Sequence, residues 1–234
     1  MGVVKGRNMD DQLTDTVEDY LKAIYDLTSA RDRATTNQLA ERMGVTPASV
    51  TGMVKRLASA EPALVDYQKH RGVLLTPAGE RTALEVIRHH RLLELFLQKQ
   101  LGYSWDEVHK EAERLEHVIS EDLEERIALA LGDPQHDPHG EPIPTRDLRM
   151  FPQPTTRLSE LHAGQRATLV RVAEPQPDLL RYLYDLGLVP QSELLVLERS
   201  PYDDNLRLQI ADQETSVVLG PRVTYQIIVD IMGS

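Results

Sequence analysis

Residues 35–57 read Thr-Thr-Asn-Gln-Leu-Ala-Glu-Arg-Met-Gly-Val-Thr-Pro-Ala-Ser-Val-Thr-Gly-Met-Val-Lys-Arg-Leu, and this stretch constrains the fold most. Leu39, Ala40 and Met43 recur at helical spacing. Gly44 suits a tight turn, Thr46 suits the cap of a second helix, and Pro47 suits its first position. Val50, Val54 and Leu57 then form one apolar stripe. Two short helices joined in this way are a helix-turn-helix, and 47–58 is its recognition helix. Ala48, Ser49, Thr51, Gly52 and Lys55 fall on its other faces, small and polar enough for a major groove. With Thr46 they are the candidate DNA-contacting residues.

The flanks agree with that reading. A helix is expected over 14–30, with Asp15 and Glu18 as a capping-box-like start and Val17, Tyr20, Leu21, Ile24 and Leu27 as its stripe. Asp19 lies beside this stripe, where an acid in a first turn ordinarily just complements the helix dipole. After the recognition helix, apolar runs at 64–67 and 73–75 flank Gln-Lys-His-Arg-Gly, which predicts a β-hairpin with a basic tip. A winged helix has this form, with Lys69 and Arg71 set against phosphate or the minor groove. Formal net charge is −11 for the whole chain. The acidity sits after residue 76, so the first third is free to approach DNA.

Residues 77–101 predict a long helix whose apolar positions Ala83, Leu84, Ile87, Leu92, Leu95 and Phe96 exceed one stripe, which points to a partner helix from a second subunit. His90 and Glu94 stand at i, i+4 on it, a metal half-site. His89 falls on another face and reads as solvated. Gly102 ends this helix and Ser104 is expected to cap the next, which runs over 105–119. There His109, Glu113, Glu116 and His117 fall at i, i+4, i+7 and i+8, one stripe of a helix. Two imidazoles and two carboxylates on that stripe either meet water or surround a divalent cation. Residues 121–131 complete the helical region.

Six prolines within 133–154 then mark an extended connection, in which His136 and His139 read as exposed. Beyond it the pattern turns to period two, with strands expected at 167–172, 194–198, 206–210, 216–219 and 225–231 and a short helix at 179–185. This predicts a small SH3-like β-barrel. The expected fold is therefore multi-domain and mainly α: a winged helix-turn-helix over 1–76, a helical metal-binding and dimerisation domain over 77–150, and the barrel over 151–234. With no cysteine, thiolate metal sites, disulfides and a Cys nucleophile are excluded. No signal-peptide core and no membrane-length apolar run are present, so a cytoplasmic protein is expected. A metallohydrolase would need a catalytic base in a cleft, and no such motif stands out.

The chain resembles the diphtheria toxin repressor family of metal-dependent bacterial regulators, including its manganese-responsive members. The resemblance rests on Thr16–Leu21, the winged helix, His-Arg-Leu-Leu-Glu at 90–94, Val108–Val118 and Asp-Pro-His-Gly-Glu-Pro-Ile-Pro at 137–144, with a C-terminal FeoA-like region. It implies a primary metal site of Asp19, Glu113, Glu116 and His117, and an ancillary site of His90, Glu94 and His109 completed by Glu174 or, failing that, Asp178. Iron-responsive members carry a Met where this chain has Asp19 and a Cys or similar group where it has Glu113. Hard oxygen donors suit Mn²⁺, with Fe²⁺ also accommodated. Binuclear manganese regulators have a Glu where Lys22 stands, which argues against their paired-metal arrangement. The resemblance implies a homodimer that represses metal-uptake genes, bound to a double-stranded operator. Metal would couple helix 14–30 to helix 105–119 and so fix the recognition helices.

Overall fold

The computed structural model describes residues 9–28, 32–173, 175–211 and 215–232, with side chains from residue 15 onward. The chain divides into two compact units, residues 1–89 with 146–149, and residues 90–145 with 150–234.

In the first unit α1 (Met9–Thr28) precedes α2 (Thr36–Met43) and α3 (Pro47–Ala58). Because α1 already begins at Met9, Asp15 lies inside it and does not start it. Thr35 caps α2 in a reciprocal box, its hydroxyl accepting from the Gln38 N–H at 3.2 Å while the Gln38 side-chain Oε1 accepts from the Thr35 N–H at 2.9 Å. Gly44 closes α2 in the left-handed region at φ 65°. Thr46 caps α3 by accepting from the Ser49 N–H at 3.2 Å, an interaction type worth about 1 kcal/mol. Val50, Val54 and Leu57 join Leu21, Ile24 and Leu39 in one core. Strands β1 (Val65–Gln68) and β2 (Gly72–Leu75) form the antiparallel hairpin, with Val65 opposite Leu75 and Gln68 opposite Gly72.

Helix α4 (Pro77–Leu101) begins in the first unit and ends in the second. Of its apolar positions Ala83, Leu84, Ile87, Leu92 and Leu95 are buried within the chain, while Phe96 is half-buried and Leu101 at its end is exposed. His89 is buried too, contrary to the solvated reading. The second unit continues with α5 (Val108–Leu115) and α6 (Glu121–Ala130). Helix α5 is far shorter than 105–119. Ser104 does not cap it; its hydroxyl donates to Glu107 at 2.6 Å. Ser120 does cap α6, accepting from the Leu123 N–H at 3.3 Å.

The C-terminal part holds β3 (Arg166–Val172), α7 (Pro177–Asp185), β4 (Glu193–Arg199), β5 (Leu206–Ile210), β6 (Ser216–Leu219), the single turn α8 (Pro221–Thr224) and β7 (Ile227–Ile231). All pairings are antiparallel, in the order β6-β5-β4-β3-β7. The expected barrel does not close, because β6 and β7 remain edges that never pair with each other. Irregularities at Leu169/Arg171 and Val196/Glu198 bend the sheet around its own core without joining its ends. Trp105, from the helical region, is part of that core with Leu169, Val172 and Leu183.

Candidate metal centre

Three elements of the second unit bring titratable side chains together. Helix α4 supplies His90 and Glu94 one turn apart, so both face the same way. Helix α5 supplies His109 and Glu113 by the same spacing. Glu116 and His117 do not continue that helix: Glu116 is its C-terminal cap residue and His117 sits in the following turn. The single stripe read from the sequence thus ends after Glu113, and the next two candidates are placed by the turn.

Their atoms nonetheless converge. His90 Nε2 lies 2.9 Å from Glu94 Oε1 and 3.0 Å from His109 Nδ1, and His109 Nδ1 lies 3.0 Å from the same Glu94 oxygen. The other nitrogen of His90 is in close contact with Glu116. Glu116 Oε1 is 3.4 Å from His117 Nε2, and His109 Nε2 is 3.3 Å from Glu113 Oε1. His90 and His109 therefore connect the groups expected in two separate sites into one network. Glu94 and Glu116 are each only 2 % exposed, and a buried carboxylate without compensation costs several kcal/mol.

A third part of the network was misread from the sequence. His139, expected to be exposed, is 1 % exposed. Its Nδ1 is 3.6 Å from Glu94 Oε2, its Nε2 is 3.0 Å from the Trp105 carbonyl, and its ring stacks on the Trp105 indole. The first part of the proline-rich segment is accordingly a folded turn. Asp137 accepts from the N–H groups of His139 and Glu141 at 2.8 and 2.9 Å, Trp105 Nε1 donates to the Pro138 carbonyl at 2.8 Å, and Arg91 donates to the Pro142 carbonyl at 2.5 Å. His136 is half-buried and bridges Pro142. No local sequence signal marks this turn, because Trp105 lies 34 residues away from His139 along the chain.

Electrostatics follow from this crowding. Hydrogen bonds to Glu113 and then Glu94 push the His109 imidazole up to about 9 against its burial. Burial disfavours the charged form of Glu94, yet the His90 charge and hydrogen bonds from His109, His139 and His90 hold its carboxyl well below the usual range. Burial, then the Glu94 charge, pushes Asp137 up to about 7. Burial lowers His139, but Glu94 and Asp137 outweigh it and raise the imidazole.

The donor set fits a divalent cation. Donor atoms of His90, Glu94 and His109 lie within 4.8 Å of one another, as do those of Glu94, Asp137 and His139. The shorter contacts of about 3.0 Å match adjacent donors on an octahedral ion with bonds of about 2.1 Å. Asp19 is half-buried on α1 in the first unit, Asp178 lies at the start of α7, and Glu174 lies outside the described residues.

In the first unit Ala48, Ser49, Gly52 and Lys55 are exposed along α3, with Thr51 half-buried, and Lys69 and Arg71 are exposed on the hairpin. Two hydroxyls are used locally, since Thr46 caps α3 and Thr51 donates to the Pro47 carbonyl at 2.8 Å.

Residues 12–73 match the iron dependent repressor N-terminal DNA binding domain, 76–145 the iron dependent repressor metal binding and dimerisation domain, and 156–231 the FeoA domain. The iron-dependent repressor IdeR of Mycobacterium tuberculosis is 35% identical over 198 residues, covering 80% of this chain and 85% of that protein. The chain belongs to the iron-dependent repressor family. This repressor-family protein is also similar to a manganese-dependent transcriptional repressor solved with manganese, at 39% identity and TM-score 0.83, covering 92% of this chain and all of that one. ScaR with bound Zn²⁺ is 33% identical with TM-score 0.75, covering 92% of this chain and 99% of that chain. The family is one of metal-dependent, DNA-binding transcriptional repressors. The matched metal-binding domain contains every member of the cluster from His90 to His139, and the matched DNA-binding domain contains α3 and the hairpin. Among the described residues, no helix of this repressor-family chain is long and apolar enough to cross a membrane.

Proposed function

We propose that this repressor is a manganese-responsive homodimer acting in the cytoplasm on the operators of metal-uptake genes. The observation that carries the metal assignment is the donor set, in which imidazoles and carboxylates converge and no sulfur donor is available from cysteine. The primary ligands are Glu113, Glu116 and His117, with Asp19 of α1 as the remaining ligand on the strength of the family resemblance. His90, Glu94 and His109 form the ancillary set, which the family resemblance completes with Glu174, and His139 and Asp137 beside Glu94 are further candidates to extend it. A divalent cation supplies the positive charge that lets these carboxylates stay ionised side by side. His90, between Glu94 and Glu116, and His109, between Glu94 and Glu113, must lose any ring proton to ligate. Without that positive charge the carboxylates repel, and the ligand-bearing helices lose a reason to hold one arrangement. The linkage requires only tighter ligation in the DNA-competent arrangement.

DNA contacts are assigned to Thr46, Ala48, Ser49, Thr51, Gly52 and Lys55 on α3 and to Lys69 and Arg71 on the hairpin, which is the wing. Exposed Leu101, Tyr103, Leu123 and Leu129 support a subunit interface in the helical domain. Titration of operator DNA, selected from a random pool, across Mn²⁺, Fe²⁺, Zn²⁺ and Co²⁺ tests the proposal. Affinity should rise at least about tenfold with Mn²⁺ over the metal-free protein. Equal affinity with and without metal overturns it. An iron response is the second reading, favoured by the IdeR relatives, and a stronger effect of Fe²⁺ in the same titration selects it.

A further inference from the structure

The wing is secured from outside as well as by its own ladder. Ala34 and Val73 exchange both backbone hydrogen bonds, at 3.0 and 2.9 Å, so residues 33–34 add a short rung beside β2. From this rung Arg33 reaches across the hairpin. Its guanidinium donates to the Asp66 carbonyl at 3.0 Å and to the Gly72 carbonyl at 3.3 Å, and forms a close ion pair with the Asp66 carboxylate. Asp66 is on β1 and Gly72 on β2, so one planar fork of donors ties both strands just below the tip. Gly72 fits this crowding: its φ is +99°, and a Cβ there would sit 2.5 Å from the Ala34 carbonyl oxygen. The Arg33 side chain is 19% exposed against 49% for Asp66, so the cation is directed into the hairpin and away from solvent.

We propose that Arg33 is a positioning residue for DNA binding, which fixes the wing so that Lys69 and Arg71 meet phosphate. It makes no DNA contact of its own. The proposal rests on the reading of the wing as a DNA-contacting element. An isolated two-stranded hairpin is marginal in water. A loose tip must be ordered on binding, and that ordering subtracts from the attraction of its two cations. Arg33 does the ordering beforehand, in the free protein.

The test measures affinity against salt for the full-length, Mn²⁺-loaded protein on a random-sequence duplex. The variants are Lys69→Ala/Arg71→Ala, Arg33→Ala, Arg33→Lys and the triple alanine variant. Removing both wing cations should lower the slope of log affinity against log salt by about 2, at about 0.9 per phosphate contact. Arg33→Ala and Arg33→Lys should each lower the slope by about 1 and the affinity about tenfold, and the triple variant should bind no more weakly than the double. Lys keeps the charge but loses the fork, and it keeps the domain folded if alanine does not. Amide exchange at Val73 should speed up in Arg33→Lys while Val54 stays protected. A wild-type slope in Arg33→Lys with a lowered one in Arg33→Ala overturns the proposal, since Arg33 would then touch phosphate itself. An unchanged slope in both, beside a lowered slope in the double variant, also overturns it. If the double variant itself keeps the wild-type slope, the wing reading fails and takes this proposal with it.

Discussion

The imidazole of His139 joins two parts of the second unit: its Nδ1 lies 3.6 Å from Glu94 Oε2, and its Nε2 lies 3.0 Å from the Trp105 carbonyl. Trp105 in turn belongs to the core of the C-terminal sheet. A residue in this place both faces the carboxylate cluster and supports the sheet that packs behind it.

Replacing His139 by Ala should therefore weaken Mn²⁺ binding about 10- to 100-fold, the usual effect of losing a ligand or its immediate support. Calorimetric titration measures this. Trp105 is the only tryptophan, so its emission reports the same site without ambiguity, and it should shift in the variant. Unchanged affinity and emission would remove His139 from the site.

Glu113 is exposed, and its Oε1 lies 3.3 Å from His109 Nε2. Glu113→Ala should leave the stability of the metal-free protein within about 0.5 kcal/mol, as surface substitutions generally do. DNA binding should nevertheless lose its dependence on Mn²⁺. Thermal melting and an operator titration read the two effects separately.

A pH dependence follows from His109, raised from 6.5 to about 9 by Glu113 first and Glu94 second. A histidine raised in the folded state contributes stability that is fully present below 6.5 and is lost as pH rises through about 9. The melting temperature of the metal-free protein should fall across that window. The His109 side chain is 48% exposed, so solvent screening keeps the effect small. Glu113→Gln should flatten the profile, and a flat wild-type profile would contradict the assignment.

Gly140 permits the turn that carries Asp137 and His139. Its φ is +85°, and a Cβ would stand 1.8 Å from the Val170 carbonyl oxygen on β3. Gly140→Ala should cost at least about 1–3 kcal/mol by urea unfolding, since backbone strain and a clash combine. Metal affinity should drop along with it, because the turn must move off the strand.

The sequence alone determined the elements whose signals lie within a few residues of one another. The recognition helix expected over 47–58 is Pro47–Ala58, because Gly44, Thr46 and Pro47 set its start and Val50, Val54 and Leu57 set its face. Strands 206–210 and 216–219 likewise coincide with β5 and β6, where alternation and turn residues act locally. Candidate ligands were also legible as residue types, since His and Glu at i, i+4 on α4 and α5 share a face by helical geometry alone. The tertiary structure decided how they meet. His90 reaches Glu116 across 26 residues of sequence and His139 reaches Trp105 across 34. Those contacts depend on where α5 stops and how the 137–141 turn packs against β3. No local period encodes either. Prolines that read as an extended connector are compatible with a tight buried turn once Trp105 and Arg91 satisfy its carbonyls. The open sheet is a similar case, because alternation fixes which face of each strand is buried but not whether the first and last strands find each other.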